Sequence, residues 1–311
     1  MKARLRILRE TGVFWWCILR EAVRLWLDRN AFTYAGSLAF YTLFSLAPVV
    51  IIAVTVIGLF FGEDAAQGQI VAQLEEAIGA EAAGAVEVAV ARSRIEEAGL
   101  FPTVLGIVAL LVGATTVFAQ MQASLNAIWG VTAKPTRSGL LIFIRNRVLS
   151  LTVVLAIGFV LLVSLLAGVA LRALINFAED QIPVPGGVLS GSEFAVSIAV
   201  VALLFATIFK ILPDVVMTWR DVAVGAVVTA VLFAVGRFAI ATYLAYTATA
   251  STYGAAASLV MLLLWVYYSS LILLFGAAFT RANLEARGRR VIPRNLAVCV
   301  KSKILEEPPP R

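Results

Sequence analysis

The chain of 311 residues has no histidine, two cysteines and few charges. Without histidine there can be no His-based zinc site, Ser-His-Asp triad, Cys-His dyad or imidazole proton relay. Cys17 and Cys299 cannot make a disulfide framework. Charged residues are 14% of the chain, against about 25% in an average soluble domain. Hydrophobic residues are 61% and the mean hydropathy is +0.94. So few charges cannot cover so much apolar surface, which excludes a soluble enzyme, a disordered chain and a nucleic-acid-binding module. The basic start (MKARLRILRE) is not followed by a short apolar stretch and a small-residue cleavage site, so it reads as retained.

What is present is long apolar runs. A helix needs about 20 apolar residues to cross a hydrocarbon core of about 30 Å. Six stretches qualify: about 35–61, 101–129, 148–171, 194–211, 222–246 and 255–279. Pro102 suits the first turn of the second, and Trp26, Trp129 and Trp219 stand at ends, where amphipathic rings prefer the headgroup layer. The charges then sort by side. Residues 1–34, 130–147, 210–221 and 281–311 hold 21 Lys and Arg; the segments 62–100, 172–193 and 247–254 hold 3, with 11 acidic residues. The positive-inside rule therefore puts both termini in the cytoplasm, and the net charge of +6 is a topology signal, not a nucleic-acid footprint.

The expected architecture is all-α and polytopic, with three regions. Residues 1–34 form a cytoplasmic, interfacial amphipathic helix, with Phe14, Trp15, Ile18, Ala22, Leu25 and Trp26 on one face and Arg20, Arg24 and Asp28 on another. Residues 35–280 form the six-helix domain, whose outer loop 62–100 contains helix-spaced Ile70, Leu74, Ala77 and Ile78. Residues 281–311 are a basic cytoplasmic tail.

Polar residues at membrane depth are the candidate site, because each needs a partner there. On the first span Tyr34, Ser37, Tyr41, Ser45 and Pro48 share one stripe. The stripe reads either as interhelical glue or as the wall of a polar cavity. The second span has polar residues on two faces: Thr115, Gln122 and Asn126 on one, Thr116, Gln120 and Ser124 on the other. Such a helix belongs at the centre of a bundle. Arg237 lies inside the fifth span, where it either snorkels to the surface or binds an anion, substrate or carboxylate. Gly225, Thr229, Gly236 and Tyr243 form a separate, close-packing face of that helix, and Trp265 lies midway along the sixth. Between spans four and five, Pro213 breaks the helix, and Asp214, Arg220 and Asp221 can form a charged cytoplasmic cluster, either a capped turn or a gate.

Several of these segments resemble the YihY/virulence factor BrkB family. The run from Ala35 to Pro48 (AGSLAFYTLFSLAP) is similar to its opening signature, and Ser124 to Trp129 (SLNAIW) to its second-span motif. Leu212-Pro213-Asp214, Trp219-Arg220-Asp221-Val222 and Gly225-Ala226 match its loop pattern. Tyr253–Ser258, Leu264–Tyr267 and Phe275–Ala277 resemble its last span. The resemblance covers roughly residues 10–285. One departure is Ala278, where the family often has Glu. Membership implies a bacterial inner-membrane protein with six helices and cytoplasmic termini. The family formerly carried the label ribonuclease BN, but this chain has no histidine and no acids at membrane depth to build a metal-dependent nuclease site.

The expected function is that of a transporter or exporter of a lipid, amphipathic or anionic solute through a polar cavity, without cofactor, metal or catalytic residue. Membrane lipids are its expected partners. The alternative is a non-transporting envelope scaffold or assembly partner.

Overall fold

The computed structural model describes residues 2–45, 100–134, 186–247, 257–294 and 297–300. The expected third span (148–171), residues 62–99 of the expected outer loop and Pro48 lie outside these residues. Helix α1 is Lys2–Asp28, and α2 runs through 31–45. α3 is Leu100–Trp129, followed by strand β1, Val131–Ala133. α4 is Gly186–Ile211, α5 is Trp219–Thr247 and α6 is Ala257–Ala286, followed by strand β2, Ala297–Cys299.

Local chemistry explains the breaks. Asn30 sits at φ 53°, a left-handed conformation that Asn tolerates better than most residues. Its carbonyl accepts from the amides of Thr33 and Tyr34, so it ends α1 and starts the next helix at once. The second helix thus begins at residue 31, four residues before the hydrophobic run suggests. Pro213 follows the end of α4. Thr218 opens α5: its N–H and its hydroxyl both donate to Asp221 Oδ2, at 2.7 Å each.

α5 packs against α4 and α6, and α6 also packs against α1 and α3. The core cluster lies where these helices converge. Ile18, Leu125, Ile128, Trp129, Phe209, Leu212 and Leu274 are its largest fully buried aliphatic and aromatic side chains outside the valines. α1 is joined to α6 by a stacked Trp15–Phe279 pair, by Trp26 against Phe275, and by the Trp26 indole donating to the Leu271 carbonyl at 3.2 Å. The face of α1 that meets α6 includes Ile18, Ala22 and Leu25, three of the residues expected on its apolar side.

The α5–α6 seam is built from small residues in reciprocal pairs. Thr229 bonds its own helix at the Gly225 carbonyl, and Thr280 does the same at Gly276. A Cβ on Gly225 would overlap Thr280, and one on Gly276 would overlap Thr229. Each glycine therefore receives the threonine of the opposite helix, and the two backbones approach closely. Gly236 is covered in the same way by Tyr268. Trp265 rests edge-on against Phe233 at 6.1 Å.

The outer side of α5 is apolar. Val227, Val231, Val235 and Phe238 recur at helical spacing and are exposed, Phe238 at 76%. The runs Trp219–Ile240 and Leu262–Ala286 are long and apolar enough to cross a membrane, and Ala195–Ile211 is a shorter apolar stretch. An exposed valine stripe on such a helix suits lipid or another apolar surface better than water.

The seam yields a direct test. Gly225→Leu or Gly276→Leu should destabilise the protein by about 1–3 kcal/mol, because the bulkier side chain forces the helices apart. Gly36→Ala, where nothing lies within 4 Å of the added carbon, should be neutral or stabilising by up to about 1 kcal/mol. Unfolding midpoints in detergent would report both.

Candidate functional site

The ends of α3, α4 and α6 and the start of α5 meet at one end of the bundle. The chain after α6 straps them together. Arg289 pairs with Asp221 at the start of α5. Next, Val216 N–H donates to the Ile292 carbonyl and Arg294 N–H to the Asp214 carbonyl, both at 2.9 Å, with Val215 and Pro293 bridged antiparallel. Finally β2 pairs antiparallel with β1, Thr132 opposite Val298, and Val300 N–H donates to the Gly130 carbonyl at 2.8 Å.

Helix ends leave carbonyls without intrahelical partners, and arginines supply them here. Arg281 donates to Ile128 O near the end of α3, at 2.8 Å, while its Nε bonds Glu285. Arg294 reaches Lys210 O at 3.1 Å and Ile211 O at 3.2 Å, at the end of α4. Lys210 itself donates to the Met217 carbonyl. Cations at helix C-termini also complement the macrodipole.

At the centre is Asp214, only 5% exposed. Its Oδ2 accepts from Asn126 Nδ2 at 3.0 Å and from Gln122 Nε2 at 3.3 Å. Its N–H donates to Asn126 Oδ1 at 2.8 Å. Gln122 and Asn126 stand one turn apart on α3, so one face of that helix grips both the side chain and the backbone of the α4–α5 linker. A carboxylate in such a place is costly unless it receives hydrogen bonds, and two amides provide them. Nearby in sequence, the buried indole N–H of Trp129 has no partner; it alone is so among the described side chains.

The other expected residues divide clearly. Tyr34 packs against the core. Ser37 and Ser45 donate to carbonyls of their own helix, Thr33 O at 3.1 Å and Tyr41 O at 2.8 Å. Tyr41 is exposed. Gln120 is half-buried, and its carbonyl accepts from Ser124. Arg237 is on the exposed side of α5, beside Phe238. Of the expected loop cluster, Asp214 engages α3 and Asp221 engages Thr218 and Arg289, whereas Arg220 is exposed. Ala278 is fully buried in the apolar core. The sequence reading did not single out Arg281, Arg289 and Arg294. Their only signal was a basic segment after an apolar run.

A largely helical chain with lipid-suited runs and a polar, strapped end is a membrane protein. It belongs to the virulence factor BrkB family, whose sequence description matches residues 22–295. It is similar to a UPF0761 membrane protein of Chromobacterium violaceum, 32% identical over 252 residues, or 80% of this chain and 57% of that one. Another, from Xanthomonas oryzae pv. oryzae, is 30% identical over 298 residues, 92% of this chain and 64% of the relative. A third, from Mannheimia succiniciproducens, is 28% identical over 257 residues, 79% and 82% of the two chains. The match thus spans little more than half the length of the Chromobacterium relative. No solved structure matches the chain.

The Asp214 joint should show energetic coupling. Asn126→Ala should cost about 1–3 kcal/mol by leaving the carboxylate short of a donor. In a double-mutant cycle with Asp214→Ala the two losses should fall short of additive by about 0.5–3 kcal/mol. Detergent unfolding curves for the four proteins give that coupling directly.

Proposed function

We propose that this protein is a six-span transporter or exporter of a bacterial inner membrane, with both termini in the cytoplasm. Its cargo is a lipid, an amphipathic molecule or an anionic solute, and it is not an enzyme. The topology rests on the 21 basic residues assigned to one side against 3 on the other. On that topology the strapped end faces the cytoplasm.

The observation that carries the reading is the buried contact between Asp214 and the Gln122–Asn126 face of α3. Apolar packing would hold the linker to α3 at least as well, since a desolvated carboxylate recovers little net stability from its partners. A polar contact, unlike an apolar one, can exchange its partners for water when helices separate. It therefore suits a joint that opens and closes at the cytoplasmic mouth of a pathway between helices. Arg237 supports an anionic or amphipathic cargo only as a cation on the exposed side of α5, where a charged headgroup could reach it at membrane depth.

Reconstituted protein should move a labelled phospholipid or an organic anion across liposomes. The Gln122→Ala, Asn126→Ala double variant should raise basal flux severalfold by loosening the gate. Arg237→Ala should lower flux and leave the unfolding midpoint unchanged. Absence of flux across a broad panel of cargoes would refute transport and favour the scaffold reading.

A further inference from the structure

We propose that Arg29 and Arg281, on either side of Gly130, form a binding site for a phosphate oxyanion, such as the headgroup of an anionic phospholipid. The inference does not require that the protein transports anything.

Three elements build the site. α1 ends at Asp28, so Arg29 projects from the turn between α1 and α2. α3 ends at Trp129, and Gly130 follows at φ 67°. Arg281 comes from the last turns of α6. A Cβ placed on Gly130 would lie 3.0 Å from Arg29 Nη2 and 3.2 Å from Arg281 Nη1. The two guanidinium nitrogens are therefore at most about 6 Å apart, close enough for like charges to repel.

Among the described residues the charge balance at this point is incomplete. Arg281 spends its Nε on Glu285 and its Nη1 on the Ile128 carbonyl. Arg29 is half-buried, and among the described residues no carboxylate or carbonyl receives its guanidinium. A half-buried cation held beside a second cation without an acceptor calls for an anion. Guanidinium forks match the several oxygens of a phosphate, which can accept from two arginines at once. Glycine contributes twice: its backbone takes the left-handed angle, and its missing side chain leaves the space between the arginines clear.

The surroundings favour a lipid source. Trp26, one turn before Arg29, packs on Phe32 at 4.6 Å between ring centres. Trp26, half-buried near the end of the amphipathic α1, stands at the depth at which indoles meet headgroups. Free phosphate shares the chemistry, so the experiment must separate the two.

Purified full-length protein in zwitterionic detergent would be titrated with phosphatidylglycerol and, separately, with inorganic phosphate, reading the rise in unfolding temperature. Arg29→Gln and Arg29→Ala should each weaken the stabilisation about tenfold in apparent affinity. Their midpoints without ligand should match the wild type or exceed it, because repulsion is relieved. Arg24→Gln is the control: Arg24 is exposed and paired with Asp28 at 3.5 Å, and its loss should change affinity by less than about twofold. Stabilisation by phosphatidylglycerol alone identifies a headgroup site, and stabilisation by inorganic phosphate as well identifies free phosphate as a ligand; both support the oxyanion site. The proposal is overturned if neither ligand stabilises the wild type, if the Arg29 variants respond as the wild type does, or if Arg24→Gln loses as much.

Discussion

Backbone carbonyls at the ends of packed helices must be satisfied, and this requirement organises the molecule. α3 and α4 end inside a cluster of buried side chains, where water cannot serve every carbonyl. Gly130 N–H returns to Ala127 O and Leu212 N–H to Ile208 O, but neither helix satisfies its last carbonyls with its own residues alone. Arg281 serves α3 and Arg294 serves α4, and both come from α6 or the chain just after it. Capping in trans makes the end of one helix depend on the position of another. The termini of α3, α4 and α6 and the start of α5 are thereby fixed relative to one another by charge-assisted hydrogen bonds, not by apolar contact alone.

The α5–α6 seam answers a different constraint. Lipid is as apolar as leucine, so apolar side chains gain little by leaving it for a neighbouring helix. Close approach is what remains, and the Gly225–Thr280 and Gly276–Thr229 pairs provide it. Each threonine hydroxyl is already satisfied by its own helix, so the seam buries no unmet polar group. The opposite side of α5 is left to valines and Phe238. One helix thus shows both solutions at once: small residues inward, branched and aromatic residues outward.

These features differed in how legible they were in the sequence. The close-packing face of α5 was readable, because Gly225, Thr229 and Gly236 share a helical stripe and small residues on an apolar helix have few other uses. The apolar runs marked where α3 and α5 lie, but α6 continues to Ala286, past the expected end at 279, and α4 starts at Gly186, before the expected start at 194. The partners of polar residues were less readable. Gln122 and Asn126 were visible as one face of α3, but Asp214 is 88 residues from Asn126, and no local spacing encodes that contact. The hydroxyl stripe of the second helix was ambiguous for a physical reason: a serine can bond its own helix four residues back, and Ser37 and Ser45 do. The strap was illegible. Its arginines read as part of a basic tail, and β1 and β2 are too short to show a period. The structural consequence of a charge depends on which carbonyl it finds.

The two ends of the problem meet in Asp214. The linker that holds it joins α4 to α5, and α5 is committed to α6 by the glycine–threonine seam. α3 touches α6 as well, and Arg281 ties their ends. If α5 and α6 move, they move as a pair, since separating them would expose Gly225 and Gly276 without gaining any new contact. The boundary between that pair and α3 adds polar joints to the buried Leu125, Ile128 and Trp129. It is bridged by hydrogen bonds that water can replace: the Asp214 amides, the Arg281 cap and the short β1–β2 ribbon. Rigid apolar seams beside replaceable polar joints set where a helical bundle can yield. Here that line runs along the polar face of α3, past Gln122 and Asn126, and ends at Gly130 between the two arginines.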